Sequence, residues 1–165
     1  MIRRARNEDI PDLLRLLEQV NRIHAEGRPD LFRPGTKYDR AGLEAILADD
    51  SRPVFVFDRD GQVAGYLFGI LQQHVGDRLL TDIKTLYIDD LCVDQAARGQ
   101  HIGRSLYEHA LAYARECGCH NVTLNVWALN PDAMAFYRRV GMQVQKVGLE
   151  CVLCNARCAP RSGCC

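Results

Sequence analysis

A glycine-containing turn in the middle of the chain has the residue types of a phosphate-binding site. The stretch R-G-Q-H-I-G-R, from Arg98 to Arg104, follows an apolar run and leads into a helical pattern. Free backbone N–H groups at a helix N-terminus attract anions, and the helix dipole favours negative charge there. Gly99 and Gly103 allow close approach of the backbone, and the two arginines add positive charge. The same residues also suit an ordinary strand-to-helix connection, so the turn alone leaves both interpretations open.

Two common nucleotide-binding motifs do not describe this turn. The dinucleotide fingerprint is G-x-G-x-x-G, whereas the glycines here stand at positions 99 and 103. The phosphate loop of nucleotide hydrolases is G-x-x-x-x-G-K-[ST], and the chain contains no such run.

Hydrophobic periodicity predicts the elements that position the turn. They are strand 2–6, helices 10–26 and 39–47, hairpin strands Val54–Phe57 and Gln62–Gln73, strand Ile83–Val93, helix 102–117, strand Val122–Ala128, helix 130–140 and an extended segment 142–153. The hairpin is antiparallel, while the helix 102–117 between strands Ile83–Val93 and Val122–Ala128 implies a parallel pair. The predicted fold is therefore α/β, more closely α+β: a mixed, mostly antiparallel twisted sheet flanked by helices, in the order β-α-α-β-β-β-α-β-α-β, with a last strand that could be divided.

Composition limits the classes of protein to which the chain could belong. Its 165 residues are 47% hydrophobic, with 21 basic and 21 acidic residues, which indicates one globular domain and gives no support to nucleic-acid or membrane-surface binding. The N-terminus has no apolar signal core, so we expect a cytoplasmic protein. Five of the eight cysteines lie in the last fifteen residues, and their spacing does not match a known zinc-binding motif. We predict a domain over 1–153, a cysteine-rich tail over 154–165, and no metal.

Two motifs carry a family resemblance. R-G-Q-H-I-G (Arg98–Gly103) is similar to R-G-x-G-[IV]-G, and N-P-D-A-M-A-F-Y (Asn130–Tyr137) is similar to N-x-x-[AS]-x-x-F-Y. In this order, some thirty residues apart, they resemble the motifs of the GCN5-related N-acetyltransferases, which use acetyl-CoA. The resemblance covers the predicted elements from Ile2 to about Leu153.

The resemblance implies a set of residues that bind acetyl-CoA. The pyrophosphate would lie on the turn formed by Arg98, Gly99, Gln100, His101, Ile102, Gly103 and Arg104. The edge of Leu91, Cys92 and Val93 would pair with the pantetheine arm like an added strand. Asn130 would hydrogen-bond that arm, and Tyr137 would stand near the thioester sulfur.

His101 is the one departure from the family pattern, which has glycine at this position. A histidine with negative φ costs little, because its side chain can point away from the phosphates. With positive φ it costs about 1 kcal/mol or more. The alternatives therefore differ in whether the turn still binds acetyl-CoA normally or binds it more weakly.

Acid–base candidates follow from the chemistry of acetyl transfer to an amine. The ammonium must lose a proton, and the departing thiolate must gain one. The resemblance implies that Asp89 or Asp90 acts as base or binds the amine, and that Tyr137 is the general acid. Adjacent strand residues face opposite sides unless a bulge intervenes, so at most one aspartate is expected to face the cleft directly. Alternatively, one faces solvent and the other caps a turn.

The implied function is direct acetyl transfer to a primary amine in a ternary complex. The acidic pair is similar to that of members acting on polyamines, which favours a small amine over a peptide amine. The alternative, motivated by His101, is a non-catalytic module of the same fold that binds CoA or a protein. A homodimer is common in the family.

Three further features are expected to be mainly structural. Cys92, in an apolar strand, is interpreted as a small buried hydrophobe and not as a nucleophile. His24 is expected to be packed, although it could border the acceptor cleft. The loop from Glu26 to Tyr38 could line a pocket for an amine, but an ordinary connector is favoured.

Overall fold

A computed structural model describes residues 1–153 of the chain. Its strands are β1 (Ile2–Arg4), β2 (Val54–Arg59), β3 (Gln62–Gln73), β4 (Lys84–Val93) and β5 (Asn121–Leu124). Its α-helices are α1 (Ile10–Gly27), α2 (Arg40–Leu47), α3 (Ile102–Glu116) and α4 (Pro131–Arg139). The predicted cysteine-rich tail, 154–165, lies outside the described residues.

The five strands form one sheet in the order β1-β2-β3-β4-β5. The first three pairings are antiparallel, and only β4 and β5 are parallel. This confirms the predicted mixed, mostly antiparallel sheet. The parallel pair arises where α3 provides the long crossover that parallel neighbours need.

Helices cover both faces of the sheet because their apolar stripes need a partner surface. On one face, Leu13 and Leu17 of α1 and Leu43 of α2 are buried in a cluster that includes Tyr66 of β3. On the other face, α3 buries its own apolar stripe, which includes Leu106. None of the helices in residues 1–153 combines the length and the hydrophobicity that a membrane span requires.

The C-terminal part of the domain differs from the prediction. The expected strand Val122–Ala128 is reduced to the four residues of β5, and the expected strand after Gly141 is absent, because residues 143–153 pair with no strand. Four residues provide only a short edge for a further strand. The segment is instead tied down by Glu150, whose carboxylate accepts hydrogen bonds from Arg28 at 2.8 and 3.0 Å.

Candidate active site

The predicted phosphate turn has left-handed backbone at two positions. Gly99 has φ +77°, and His101 has φ +60° with ψ +10°. Of the two alternatives for residue 101, the structure therefore has the positive φ, at which a side chain costs about 1–2 kcal/mol. The carbonyl of His101 accepts hydrogen bonds from Ser105 N at 3.0 Å and from Ser105 Oγ at 3.1 Å, so the strained residue caps the first turn of α3.

The backbone N–H groups of this turn are available to a ligand. Among residues 1–153, no oxygen accepts a hydrogen bond from the N–H groups of residues 99–104. Left-handed residues within a turn can point successive N–H groups into one concave surface, which binds anions. Arg98 is exposed beside them, and Arg104 is held by Glu108 at 2.8 Å. The turn thus offers both donors and positive charge to a pyrophosphate.

Helix α1 fixes the approach to the turn through polar contacts. Asp94 caps the single 3₁₀ turn after β4, and its Oδ1 accepts a hydrogen bond from Ala96 N at 3.0 Å. Arg15 of α1 forms an ion pair with Asp94 and also donates to Val63 O at 3.2 Å. Gln19 Oε1 accepts from Gln95 N at 3.3 Å. These contacts connect the turn to a helix that is buried against the sheet.

The end of β4 has a free edge beside the turn. β4 pairs with β3 along its length, from Lys84 to Val93, but with β5 only from Thr85 to Ile88. Beyond Leu124 the chain leaves the sheet towards α4, so residues 89–93 have a strand neighbour on one side only within the described chain. The predicted pantetheine-binding residues Leu91, Cys92 and Val93 belong to this segment. An extended arm could pair with such an edge as an added strand.

A cavity of about 640 Å³ lies where β4 and β5 separate. Ile88 to Leu91 line one side, Leu124 to Trp127 line the other, and Asn130 and Tyr137 of α4 complete this part of the wall. Both acidic candidates and the proposed general acid therefore face one cavity. Because the cavity continues from the free edge of β4, an acyl group carried along that edge could meet an amine here.

A β-bulge places the two aspartates in the same cavity. Asp90 pairs with Phe68 and Ile88 pairs with Gly69, so Asp89 is an extra residue in β4. An extra residue interrupts the alternation of side chains along a strand. The expectation that at most one aspartate faces the cleft is therefore wrong, since both line the cavity. The sequence analysis named the bulge as the exception but could not locate it.

Asp89 is already paired within the protein. Lys37 Nζ lies 2.7 Å from both carboxylate oxygens, and Tyr38 Oη donates to Oδ2 at 2.9 Å. Burial alone would lower the pKa of Lys37, but the hydrogen bonds and charge of Asp89 outweigh it and the pKa is raised. Asp89 thus holds the loop before α2 against the sheet.

Asp90 is the more deeply buried carboxyl group. Burial raises its pKa from 3.8 to about 6, although the hydrogen bond that Tyr66 Oη donates at 2.9 Å acts in the opposite direction. Tyr66 is fully buried in the core. A carboxyl group that titrates near neutral pH can accept a proton and release it again, which is the property a general base needs.

Tyr137 lies close enough to Asp90 to be affected by its charge. Burial, and then the negative charge of Asp90, raise the pKa of the Tyr137 hydroxyl, so the phenol stays protonated at neutral pH. Its position follows from α4, which begins after Asn130, whose Oδ1 accepts from Ala133 N at 3.1 Å. That cap leaves the side-chain amide N–H groups of Asn130 to donate to a ligand.

Cys92 has the properties of a core residue. It is 5% exposed, its Sγ lies 3.6 Å from Leu16 O, and burial raises the pKa of its thiol to about 12. A thiol in this state is a poor nucleophile, because the thiolate is the reactive form. The interpretation of Cys92 as a buried hydrophobe is confirmed.

The loop before α2 contributes to the cavity and is more than a connector. Residues 32–37 line it, and Asn21 Nδ2 of α1 donates to Arg33 O at 2.8 Å and to Gly35 O at 2.9 Å. His24 stacks on Phe32 with ring centroids 5.1 Å apart, and burial lowers the pKa of His24. Phe32 in turn meets the edge of Trp127 at 5.1 Å.

Sequence analysis did not identify three residues that determine the properties of the site. Lys37 lies 52 positions before Asp89 and Tyr66 lies 24 positions before Asp90, so neither pairing has a local signal. Trp127, the single tryptophan of the chain, was predicted inside a strand but lies after β5 on the cavity wall. Within residues 1–153, no three His, Cys, Asp or Glu side chains are grouped as a metal site.

Comparison with known proteins gives the family. The model described as "Acetyltransferase (GNAT) family" matches residues 17–142. The chain belongs to this family, which confirms the prediction from the two motifs. Family members use acetyl-CoA, and the free N–H groups of the turn with the free edge of β4 fit the pyrophosphate and pantetheine of that molecule.

Relatives and solved structures extend the similarity over nearly the whole domain. Streptothricin acetyltransferase of Streptomyces lavendulae is 36% identical over 92 residues, which cover 56% of this chain and 44% of that protein. Peptidyl-lysine N-acetyltransferase YjaB of Salmonella typhimurium is 40% identical over 107 residues, which cover 64% of this chain and 61% of that protein. The chain thus spans about half the length of these relatives. A tetramutant of the BH1408 protein from Bacillus halodurans is 32% identical, with a TM-score of 0.89 over 93% of this chain and 99% of that chain.

Proposed function

We propose that the protein is an N-acetyltransferase that moves the acetyl group directly from acetyl-CoA to a primary amine in a ternary complex. The observation that carries the proposal is that one cavity brings together three features. They are the free edge of β4, the carboxyl group of Asp90 with its raised pKa, and the hydroxyl of Tyr137. Acetyl-CoA supplies an activated acyl group. The chain supplies binding, orientation and proton transfer.

The N–H groups of residues 99–104 hold the pyrophosphate, and the edge of Leu91 to Val93 aligns the pantetheine arm. Asn130 donates to that arm through its side-chain amide. Fixing the thioester beside the acceptor amine converts a bimolecular encounter into a step between aligned groups. A backbone N–H near Leu91 or Cys92 stabilises the oxyanion.

The two aspartates take different roles in this proposal. Asp90 removes the proton of the acceptor ammonium, directly or through water, because its pKa of about 6 lets it be ionised at neutral pH. Asp89 remains paired with Lys37 and shapes the acceptor end of the cavity. Tyr137 donates its proton to the leaving thiolate.

The test follows thiol release from acetyl-CoA over a panel of primary amines. Asp90→Asn and Tyr137→Phe should each lower kcat by about 100-fold or more, with acetyl-CoA still bound, as expected for loss of a positioned acid or base. Cys92→Ala should keep most of the activity, since direct transfer needs no thiol nucleophile. CoA binding without turnover of any amine would contradict the proposal and support a non-catalytic CoA-binding module.

The acceptor is a small amine in this proposal. The streptothricin relative and the peptidyl-lysine relative act on different kinds of amine by their names, so they do not decide the class. The cavity favours a small amine because its volume of about 640 Å³, bounded by α1, the loop before α2, β4 and α4, is that of a small-molecule site.

A further inference from the structure

The acceptor end of the cavity has an aromatic wall, formed by His24, Phe32 and Trp127. The three rings come from α1, the loop before α2 and the segment after β5, and each is 5.1 Å from the next in the row. Trp127 is 46% exposed although it is large and apolar, and it is one of the residues that line the cavity. Apolar ring surface left open in a concave site favours a ligand with a matching apolar group.

The charges that line the cavity cancel. Its acidic side chains are Asp89 and Asp90, and its basic side chains are Lys37 and Arg33. Asp89 already has Lys37 as its partner at 2.7 Å, so it presents little net negative charge to an incoming ligand. Asp90 alone remains for the amine that reacts. An acceptor with several ammonium groups would have to place the others in the cavity without a free carboxylate, and an unpaired charge is costly to remove from water.

Resting on the proposed function, we infer that the acceptor is a primary amine with a single positive charge, carried next to an aromatic or apolar group. The amine reacts beside Asp90, while the apolar group packs on the aromatic wall. Polycations are poor acceptors because Lys37 occupies the carboxylate that would otherwise bind a second ammonium. This specificity departs from the polyamine-like acceptor that the acidic pair suggested in the sequence.

Two assays separate this inference from the proposed function. The first measures kcat/KM for 2-phenylethylamine, n-butylamine and spermidine by thiol release. The second follows the fluorescence of Trp127 during titration with the same amines, which needs no turnover. Because the chain has one tryptophan and it lies on the cavity wall, the signal reports this site.

We expect 2-phenylethylamine to exceed spermidine by at least about 10-fold in kcat/KM, since apolar groups in a fitted pocket give discrimination of that order. Phe32→Ala should lower kcat/KM for 2-phenylethylamine by about 10-fold and change that for spermidine little. Lys37→Met should improve spermidine, because it frees Asp89. The matched control is Leu79→Ala, at a side chain that is 91% exposed in the loop between β3 and β4, and it should change neither amine.

Equal or better use of spermidine by the unaltered protein would overturn the inference. So would an equal effect of Phe32→Ala on both amines, or the failure of 2-phenylethylamine to change Trp127 fluorescence. If no amine is turned over but 2-phenylethylamine still binds more tightly than spermidine by fluorescence, the proposed catalysis fails and the inferred specificity of the site stands.

Discussion

Asp90→Asn should make the protein more stable at neutral pH while it removes the proposed base. The carboxyl is buried, and its pKa is raised from 3.8 to about 6. A charge held in such a place opposes folding, because the unfolded chain solvates it better. Asparagine has nearly the same shape and can still accept the hydrogen bond from Tyr66 Oη.

The size of the effect follows from the two pKa values. The folded protein binds the Asp90 proton more tightly than the unfolded chain, so this group favours folding below pH ~4 and that contribution is lost as the pH rises through ~6. With 1.36 kcal/mol per pKa unit, the ionisation of Asp90 lowers the free energy of unfolding, relative to a neutral side chain, by about 3 kcal/mol at pH ~8 and by about 1.5 kcal/mol at pH ~5. The asparagine variant lacks this dependence, so its advantage should grow by about 1.5 kcal/mol between those pH values.

Urea unfolding at both pH values, followed by Trp127 fluorescence, measures the difference between the variant and the original protein. The matched control is Asp50→Asn, at a fully exposed carboxylate 3.6 Å from Arg4 Nη2, where the gain should be much smaller because an exposed ion pair contributes little to stability. All other titrating groups are common to each pair and cancel. A variant that is destabilised at pH ~8, or that gains equally at both pH values, would refute the assignment of Asp90 as a buried, ionised carboxyl.

Three more predictions concern Tyr66, which donates a hydrogen bond to Asp90, and the phosphate turn at Arg98–Arg104 with its approach. Tyr66→Phe removes a hydrogen bond that lowers the pKa of Asp90, so the acidic limb of the kcat/KM profile should move to higher pH; an unmoved limb would assign it to another group. His101→Val should be less stable than His101→Gly by about 1–2 kcal/mol in urea unfolding, because φ is +60°; equal stability would mean that residue 101 is not left-handed. Arg15→Met releases Asp94, which caps the approach to the turn, so KM for acetyl-CoA should rise severalfold at nearly constant kcat; a fall in kcat alone would contradict this positioning role.

Local patterns in the sequence were sufficient to predict most of the fold. The apolar period of α1 and α3 and the closely spaced strands of the hairpin are short-range signals, and the structure has each element. The predicted final strand failed because strand formation needs a partner edge, and the four residues of β5 are all that the chain places there. Hydrophobic periodicity indicates which secondary structure a segment can adopt, but not whether a neighbouring strand is present to pair with it.

The candidate site also has features that the sequence predicted and features that only the structure revealed. The turn at Arg98–Arg104 and the motif from Asn130 to Tyr137 were visible because their chemistry depends on residues close in sequence. The outcome at His101 needed its backbone angle, which is +60° and which no single residue type specifies. The loop from Glu26 to Tyr38 was expected to be an ordinary connector, but it lines the cavity, because its role depends on which surface it folds against.

Sequence alone determined the family, the sheet with its covering helices, and the residues proposed to hold acetyl-CoA, because these are set by contiguous motifs. Tertiary structure decided which of the two carboxyl groups is paired with a lysine. The bulge at Asp89 turned both aspartates into one cavity, Lys37 neutralised one of them, and burial beside Tyr66 raised the pKa of the other. Those differences arise from distances between residues far apart in the chain, which become fixed only when the sheet and its helices pack together.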